Sequence, residues 1–527
     1  MTVLAADPEP QAPAKTARRP SDESLILLGV GLLALGTYLW QLSVPEQLSF
    51  YDSGVYLAAA VHLVSGVLPY RDFTFVQPPG LLYILTPVAV VSRFFGTHDG
   101  FMVGRVLSAA VTAANCALTS ALVRRHGRVA MIVAGVGLAV SPVAFFEGSA
   151  IKLEPYCLIF VLGAALIVTG RGPVGTLTRR GAILAGVTLG VAGLVKLWAF
   201  FPFLAIVAIV GCRAKSRVVT LVVAAGATFL AGVAPYLVAA PRAFLSEVFV
   251  EQLGRKATVA DSGSILWRVR ALTGYIDTLV SPTALVALVA LALLGLVAIV
   301  AFRRWRETSD EDAFFLVGSV AVVVMLLTSP ETYNYYYYFA QPFLVGLATV
   351  SVWNVGSRVG RGFPRPTLTR GTRRFLIGAT VTGLVITSGA LALYSTSDYS
   401  AYAYVYGIYG PWMDPIARII PAGDCVVYTE VAYGVFENRL TSSDPRCPTE
   451  VDVYGQWLAN GYELVAPPPS FSATWKGYFE RAAYVVFPWA HPGDVPWNAS
   501  LDAWFSRHFR LVYDENGVAI YRARVGG

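Results

Sequence analysis

The sequence predicts an α-helical polytopic membrane protein that ends in a small α/β domain. Three observations predict it. The 527-residue chain is 55% hydrophobic and only 14% charged, against roughly 25% charge in a typical soluble protein. Its apolar residues fall in blocks of roughly 18–22, the length a helix needs to cross a hydrocarbon core in which backbone polar groups must be satisfied internally. Residues 396–527 break that pattern with short, turn-punctuated segments. The net charge of +7 does not indicate a nucleic-acid partner, because the basic residues gather in short loops between apolar blocks, the positive-inside pattern.

Residues 1–24, rich in Pro and Ala and carrying Lys15, Arg18 and Arg19, read as a disordered cytoplasmic tail. Residues 25–44 form the first span rather than a cleaved signal, since no small-residue cleavage site follows. Basic loops then fix the sidedness: Arg124, Arg125 and Arg128; Arg171, Arg179 and Arg180; Arg213, Lys215 and Arg217; Arg303, Arg304 and Arg306; and six arginines from Arg358 to Arg374. Placing each loop in the cytoplasm gives spans at 103–123, 129–146, 153–170, 217–239, 281–302, 313–330, 338–354 and 374–394. The 15-residue stretch 81–95 would strand three arginines on the wrong side if it crossed, so it reads as an interfacial or re-entrant helix. Residues 182–211 start and end at basic loops and therefore cross twice, as two short helices meeting near Lys196. The total is about eleven transmembrane helices. That parity predicts a multi-pass plasma-membrane protein with a cytoplasmic N-terminus and residues 396–527 outside.

In that outer region, strand-like runs occur at Cys425–Thr429 and Tyr484–Phe487. A hairpin follows from Phe509–Tyr513 through Glu515-Asn516-Gly517 to Val518–Tyr521. Helical stretches fit at 451–460, 472–482 and 500–507. Cys425 and Cys447 form a disulfide if the region is extracytoplasmic. Cys116, Cys157 and Cys212 lie in or beside spans and read as inert. No Cys/His metal spacing is present, no cofactor is implied, and a divalent metal is left open.

Ionisable residues at membrane depth are costly, which makes them functional candidates. The first outer loop carries Tyr51-Asp52-Ser53, Tyr56, Tyr70-Arg71-Asp72 and Gln77-Pro78-Pro79; the second runs from Glu147 through Lys152-Leu153-Glu154-Pro155. Asp52 reads either as a catalytic carboxylate or as the cap of the helix that follows, and both can hold. Asp72 reads as structural, paired with Arg71. Glu154 is either catalytic or a helix-start residue paired with Lys152. Lys196, alone in an apolar run, either meets an anion or snorkels to the interface. The outer loop 240–280 is basic, with Arg242, Arg255, Lys256, Arg268 and Arg270, against the positive-inside rule. It suits a lipid phosphate or ordinary headgroups. The run from Tyr333 and Tyr335 to Tyr338 is either an aromatic belt or a sugar-stacking pocket mouth.

An acid in a long first outer loop, Pro-Pro before the next apolar stretch, a second acid in a later outer loop and a Tyr-rich stretch before a Pro-containing span resemble the GT-C membrane glycosyltransferases. The nearest branch is the protein O-mannosyltransferase and lipid A aminoarabinose transferase group. The resemblance covers residues 25–395 and rests on the order and membrane placement of these motifs. It implies a polyprenyl-phosphate sugar donor and a cell-envelope glycan, lipid or protein acceptor on the outer face. Asp52 then matches the catalytic base and Glu154 the second acidic position. Tyr56, Gln77, Lys152, Lys196, Arg255, Lys256, Arg268, Tyr333 and Tyr335 would hold substrate. Gln77 stands where relatives often have Lys, and Asp52-Ser53 where many O-mannosyltransferases have Asp-Glu. Pro421-Ala422-Gly423-Asp424-Cys425 opens a domain that resembles those of actinobacterial members. The competing readings are a transporter or lipid flippase, which the lack of internal duplication disfavours, and a non-enzymatic assembly or sensor protein acting through residues 395–527.

Overall fold

A computed structural model describes residues 22–42, 51–170, 172–255, 264–274, 284–303, 308–362, 414–460, 467–515 and 518–524. Helices dominate up to residue 362. α1 (Asp22–Gln41), α2 (Tyr51–Val64), α3 (Gly80–Phe95), α4 (Thr97–Leu122), α5 (Arg128–Ala139), α6 (Pro142–Glu147), α7 (Leu153–Thr169), α8 (Arg179–Val195), α9 (Phe200–Arg213) and α10 (Val218–Ala239) come first. A short helical ribbon follows, α11 (Pro241–Leu245) running through a π-turn into α12 (Glu251–Gly254), and then α13 (Ile265–Leu272), α14 (Ala284–Ala301), α15 (Asp310–Thr328) and α16 (Gln341–Gly362). Five helices are long and apolar enough to cross a membrane by length and composition: Asp22–Trp40, Thr97–Leu122, Lys215–Ala239, Asp310–Thr328 and Asn334–Gly356. Shorter apolar helices lie at Gly80–Phe95, Arg128–Ala139, Leu153–Thr169, Leu197–Arg213 and Leu285–Ala301. The protein is a multi-pass membrane protein.

The expected division of 182–211 is present: α8 stops at Val195, Lys196 is extended, and a 3-10 turn leads into α9. The expected single span 129–146 is instead broken. α5 ends at Ala139, and Pro142, which cannot donate a backbone hydrogen bond, starts α6 behind the Ser141 cap. The eleventh expected span, 374–394, and the proposed domain boundary at 395–396 lie outside the described residues. α3 packs its first residue, Gly80, so closely on Leu194 and Val195 that a Cβ would lie 2.5 Å from the Leu194 carbonyl carbon. At its other end Gly96 meets Asn438 of the C-terminal domain. Both ends of α3 thus sit at one end of the bundle.

The basic loops converge on the opposite end. Arg125 pairs with Glu311 at 2.9 Å, His126 Nε2 with Asp312 at 2.8 Å and Arg213 with Asp310 at 3.3 Å. Arg128 pairs with Asp22. The helix N-terminus of α15 gathers these acids, as the helix dipole favours, with the Ser309 hydroxyl as N-cap.

From Asp414 the chain is α/β. Four strands, β1 (Val426–Tyr428), β2 (Tyr484–Phe487), β3 (Phe509–Glu515) and β4 (Val518–Ala523), make one sheet in the order β1-β2-β4-β3. β1 and β2 are parallel, which requires a crossover, here carried by the helices Val453–Ala459 and Pro469–Phe479. β3 and β4 form the expected antiparallel hairpin with an irregularity between Leu511 and Tyr513. An aromatic core of Trp475, Phe479, Phe487 and Phe505 fills the sheet's covered face. The Cys425–Cys447 disulfide is formed, with Cα atoms 5.4 Å apart. The other sheet face joins the core of the bundle through Tyr428, Val486 and Ile520. The seam is specific: Phe436 meets Phe101 at 4.6 Å between ring centres, and the Thr97 hydroxyl donates to the Val435 carbonyl at 2.6 Å.

Candidate active site

The helix α2 begins at Tyr51, so Asp52 lies inside its first turn rather than at the cap position. Its carboxylate faces a cation instead of a helix end: Lys152 Nζ donates to Asp52 Oδ2 at 3.0 Å. Lys152 ends the loop from α6, and that loop is pinned by Thr112 donating to the Gly148 carbonyl at 2.9 Å and Ser53 donating to the Ile151 carbonyl at 3.2 Å. Burial works against ionising Asp52. The Lys152 charge and hydrogen bonds from Tyr335 and Lys152 outweigh it and hold the carboxyl below its usual range. Asp52 is therefore an anion at neutral pH.

The pairing of the second acid is crossed relative to the sequence expectation. Glu154, in the first turn of α7 and 1% exposed, pairs with Lys196 and not with Lys152. Lys196 reaches it because the helix break at 195–199 frees its extended backbone. Its ammonium lies 3.7 Å from the Trp198 ring centre and 4.3 Å from that of Tyr336. Lys152 likewise lies 3.9 Å over Tyr335. Aromatic faces partly replace the lost hydration of both ammonium groups.

The tyrosines are one stack. A 3-10 helix, Asn334–Ala340, presents Tyr335 parallel to Tyr333 at 5.7 Å, with Tyr336 edge-on to Tyr335 at 4.8 Å. Tyr336 and Tyr338 are buried, so this run is not simply a membrane-interface belt. The third ion pair closes the site: Arg255 lies 3.6 Å from Glu331 and donates to the Tyr336 hydroxyl at 3.2 Å. Among the described residues, its buried Nε has no partner. Tyr56, 6% exposed, stands in the field of both Asp52 and Glu154.

Other candidates are placed differently. Gln77 enters through its main-chain carbonyl, which accepts from the Tyr70 hydroxyl at 2.5 Å. Arg268 is 6% exposed and donates to the Leu326, Leu327 and Ser329 carbonyls, closing the C-terminal end of α15. Its position is explained by that structural role. Lys256 lies outside the described residues. Asp72 pairs with Arg71 and accepts from Leu68 N at 2.7 Å, as expected of a structural acid.

Sequence reasoning missed what the C-terminal domain adds. Asp452 Oδ1 accepts from the Tyr51 hydroxyl at 2.9 Å, next to Asp52 in the chain. Tyr454 N donates to the same Tyr51 oxygen at 2.6 Å, and the Tyr454 hydroxyl donates to Glu331. Burial pushes the Asp452 carboxyl up to about 6. Glu331 had a readable signal, an acid between Pro330 and the tyrosine run; nothing around Asp452 distinguishes it.

Residues 75–330 match the sequence model of glycosyltransferase family 87. No curated protein sequence matches the chain. The fold is similar to that of ArnT from Cupriavidus metallidurans, solved bound to undecaprenyl phosphate, with a TM-score of 0.63 over 95% of this chain and 98% of that one, at 14% identity. It is also similar to the Archaeoglobus fulgidus oligosaccharyltransferase tethered to an acceptor peptide, at a TM-score of 0.50 and 14% identity over 88% of this chain and 68% of that one. The chain thus has an ArnT-like fold, and a little under half of it is similar to glycosyltransferase family 87.

Proposed function

We propose that the enzyme transfers a hexosyl or pentosyl unit from a polyprenyl-phosphate donor to a cell-envelope acceptor, with Asp52 as general base. The observation that carries this reading is the ionised Asp52 carboxylate at the meeting point of two cations and a tyrosine stack. In the reaction the acceptor hydroxyl gives its proton to Asp52. Its oxygen forms the new bond to the anomeric carbon, and the bond from that carbon to the phosphate oxygen breaks. Polyprenyl phosphate leaves with the electron pair, and a single displacement inverts the anomeric centre. The base and the charge at the leaving group are the two needs of this chemistry. Lys196 and Arg255, whose buried Nε has no partner among the described residues, supply the charge for the leaving phosphate. Glu154 fixes Lys196, and the tyrosine rings offer faces to the sugar. Undecaprenyl phosphate bound to the similar ArnT fold supports a donor of this class.

The site faces the outside in this reading, with the N-terminus in the cytoplasm. Two features support it. The disulfide belongs in an oxidising compartment, and the arginine-rich loops gather at the far end of the bundle. A reporter fused after residue 527 that is active only outside the cytoplasm tests the topology.

The catalytic assignment is tested with Asp52→Asn in membranes supplied with labelled undecaprenyl-phosphate sugars. Transfer should fall by about 10²–10⁴-fold, the usual worth of a general base; activity near wild type would sink it. A transporter would move its substrate without making a glycosidic bond, so mass spectrometry of envelope glycans in a deletion strain separates the readings.

A further inference from the structure

The three cations of the site are each matched by one carboxylate: Lys152 by Asp52, Lys196 by Glu154 and Arg255 by Glu331. Two more acids stand at the same place without a cation. Glu147 ends α6, five residues before Lys152, and its loop is tied to α2 through Ser53. Glu430 immediately precedes the helix Val431–Phe436 of the C-terminal domain. That helix lies so close to α2 that a Cβ on Gly54 would be 2.7 Å from Ala432 Cα, and Gly54 is two residues past Asp52. The two acids thus come to the neighbourhood of the base from two parts of the chain, one from the bundle and one from the C-terminal domain. Both stand in the field of Asp52 and Lys152. Among the described residues, Glu147 Oε2 and Glu430 Oε1 are buried oxygens with no hydrogen-bond partner.

Unsatisfied buried oxygens cost stability, and native proteins retain few of them without a reason. We infer that Glu147 and Glu430 form the acceptor subsite, and that the acceptor there is an uncharged, hydroxyl-rich group such as a sugar residue. Hydroxyl groups bring the donors that these oxygens lack. A phosphate-bearing acceptor brings only acceptor oxygens and negative charge to a place where Lys152, Lys196 and Arg255 each already face a carboxylate, and the donor's own phosphate must share those same cations. Like charge in a desolvated site discriminates strongly. The C-terminal domain is then a specificity element, since it supplies one of the two oxygens. Burial pushes the Glu430 carboxyl up to about 8, so at neutral pH it can both give and take a hydrogen bond with a pair of hydroxyls.

The inference rests on the donor reading above, and the test separates the two. The full chain in lipid nanodiscs is supplied with labelled undecaprenyl-phosphate sugars, and two products are followed: sugar released to water, and sugar attached to added methyl glycosides or to the matching glycosyl phosphates. Wild type should release sugar and label the glycosides but not the phosphates. Glu430→Gln and Glu147→Gln should each raise the glycoside KM by about tenfold, the cost of one hydrogen bond of about 1.4 kcal/mol, with release to water within about twofold of wild type. Glu430→Asp, which keeps the acid but shortens its reach, should fall between. A variant that loses both products in parallel would mark a merely structural role and overturn the inference. So would an unchanged glycoside KM, label on the phosphates, or release to water with no glycoside labelled. Failure of wild type to move sugar from any donor, either to water or to a glycoside, instead overturns the donor reading itself.

Discussion

The two ends of the bundle hold similar numbers of charges and use them differently. At one end Asp310, Glu311 and Asp312 sit on the N-terminus of α15, where the dipole welcomes them, and each has a basic partner. Asp310 also accepts from Val174 N at 2.7 Å, and Asp312 from Asn354 at 3.0 Å. The Arg125 side chain there is 55% exposed. At the other end both members of the Glu154–Lys196 pair are almost fully enclosed, at 2% and 6% exposure. Cations lie over tyrosine and tryptophan rings, and Glu147 and Glu430 each keep an oxygen with no partner among the described residues. Both ends bury their acids, but on α15 each acid meets a basic partner, whereas at the candidate site burial is combined with incomplete pairing.

The sharpest way to break this contrast is to remove one cation from each end. Lys152→Met leaves Asp52 buried without its nearest counter-charge, so its ionised form loses support. Transfer should drop by about 10²-fold or more, while the protein remains in the membrane. Arg125→Met should leave transfer within twofold and lower stability by about 0–1 kcal/mol, as expected of a half-exposed pair. Steady-state transfer and a thermal melt on both purified variants provide the comparison. Equal losses of activity would end the distinction between the two ends.

A second test concerns how the C-terminal domain reaches the site. Gly54→Val forces a side chain into Ala432 of the Val431–Phe436 helix, and overpacking of this kind costs about 1–3 kcal/mol. It should separate Glu430 from Asp52 and reduce transfer by about tenfold or more without unfolding the bundle. Cysteine cross-linking across the Thr97–Val435 seam reports the separation; intact cross-linking with lost activity would contradict this account. Cys425→Ser should act more gently on transfer. Opening the 22-residue loop removes about 2–4 kcal/mol from the C-terminal domain, seen as a lower melting temperature with a smaller change in rate.

What was legible in the sequence follows from which forces are local. Hydropathy, charge parity and chain breakers are local, so α3, the break at Lys196 and the four strands could be read directly. Asp52, Glu154, Lys152 and Lys196 were visible because charge is conspicuous in apolar surroundings. Their pairing was not, because Lys152 and Glu154 are near neighbours in sequence while the real partners are 100 and 42 residues away. Pro142 interrupts the expected span 129–146 because the chain must turn there to deliver Glu147 and Lys152 beside α2. The share of Asp452, Tyr454 and Glu430 in the site depends on domain docking, which composition does not encode.

The smallest expected effect lies in the pH dependence of that docking. Burial raises Glu430 to about 8 and Asp452 to about 6, above the ordinary carboxylate range of about 4. A carboxyl with a raised folded value is held protonated by the fold. Its contribution to stability is intact below the ordinary range, and it is lost as pH rises through the folded value. Between pH 5 and pH 8.5 the melting temperature of the wild-type C-terminal region should therefore fall. Glu430→Gln, which stays uncharged, should make that fall shallower and leave the remainder, which belongs to Asp452, Glu450 and Asp494, whose carboxyls burial also raises. Arg125→Met, at the other end, should follow the wild-type curve in shape. A wild-type curve that rises over this interval, or a Glu430→Gln curve that parallels it, would show that the acid beside Asp52 is already as well satisfied as those on α15, and the contrast between the two ends would fail at this residue.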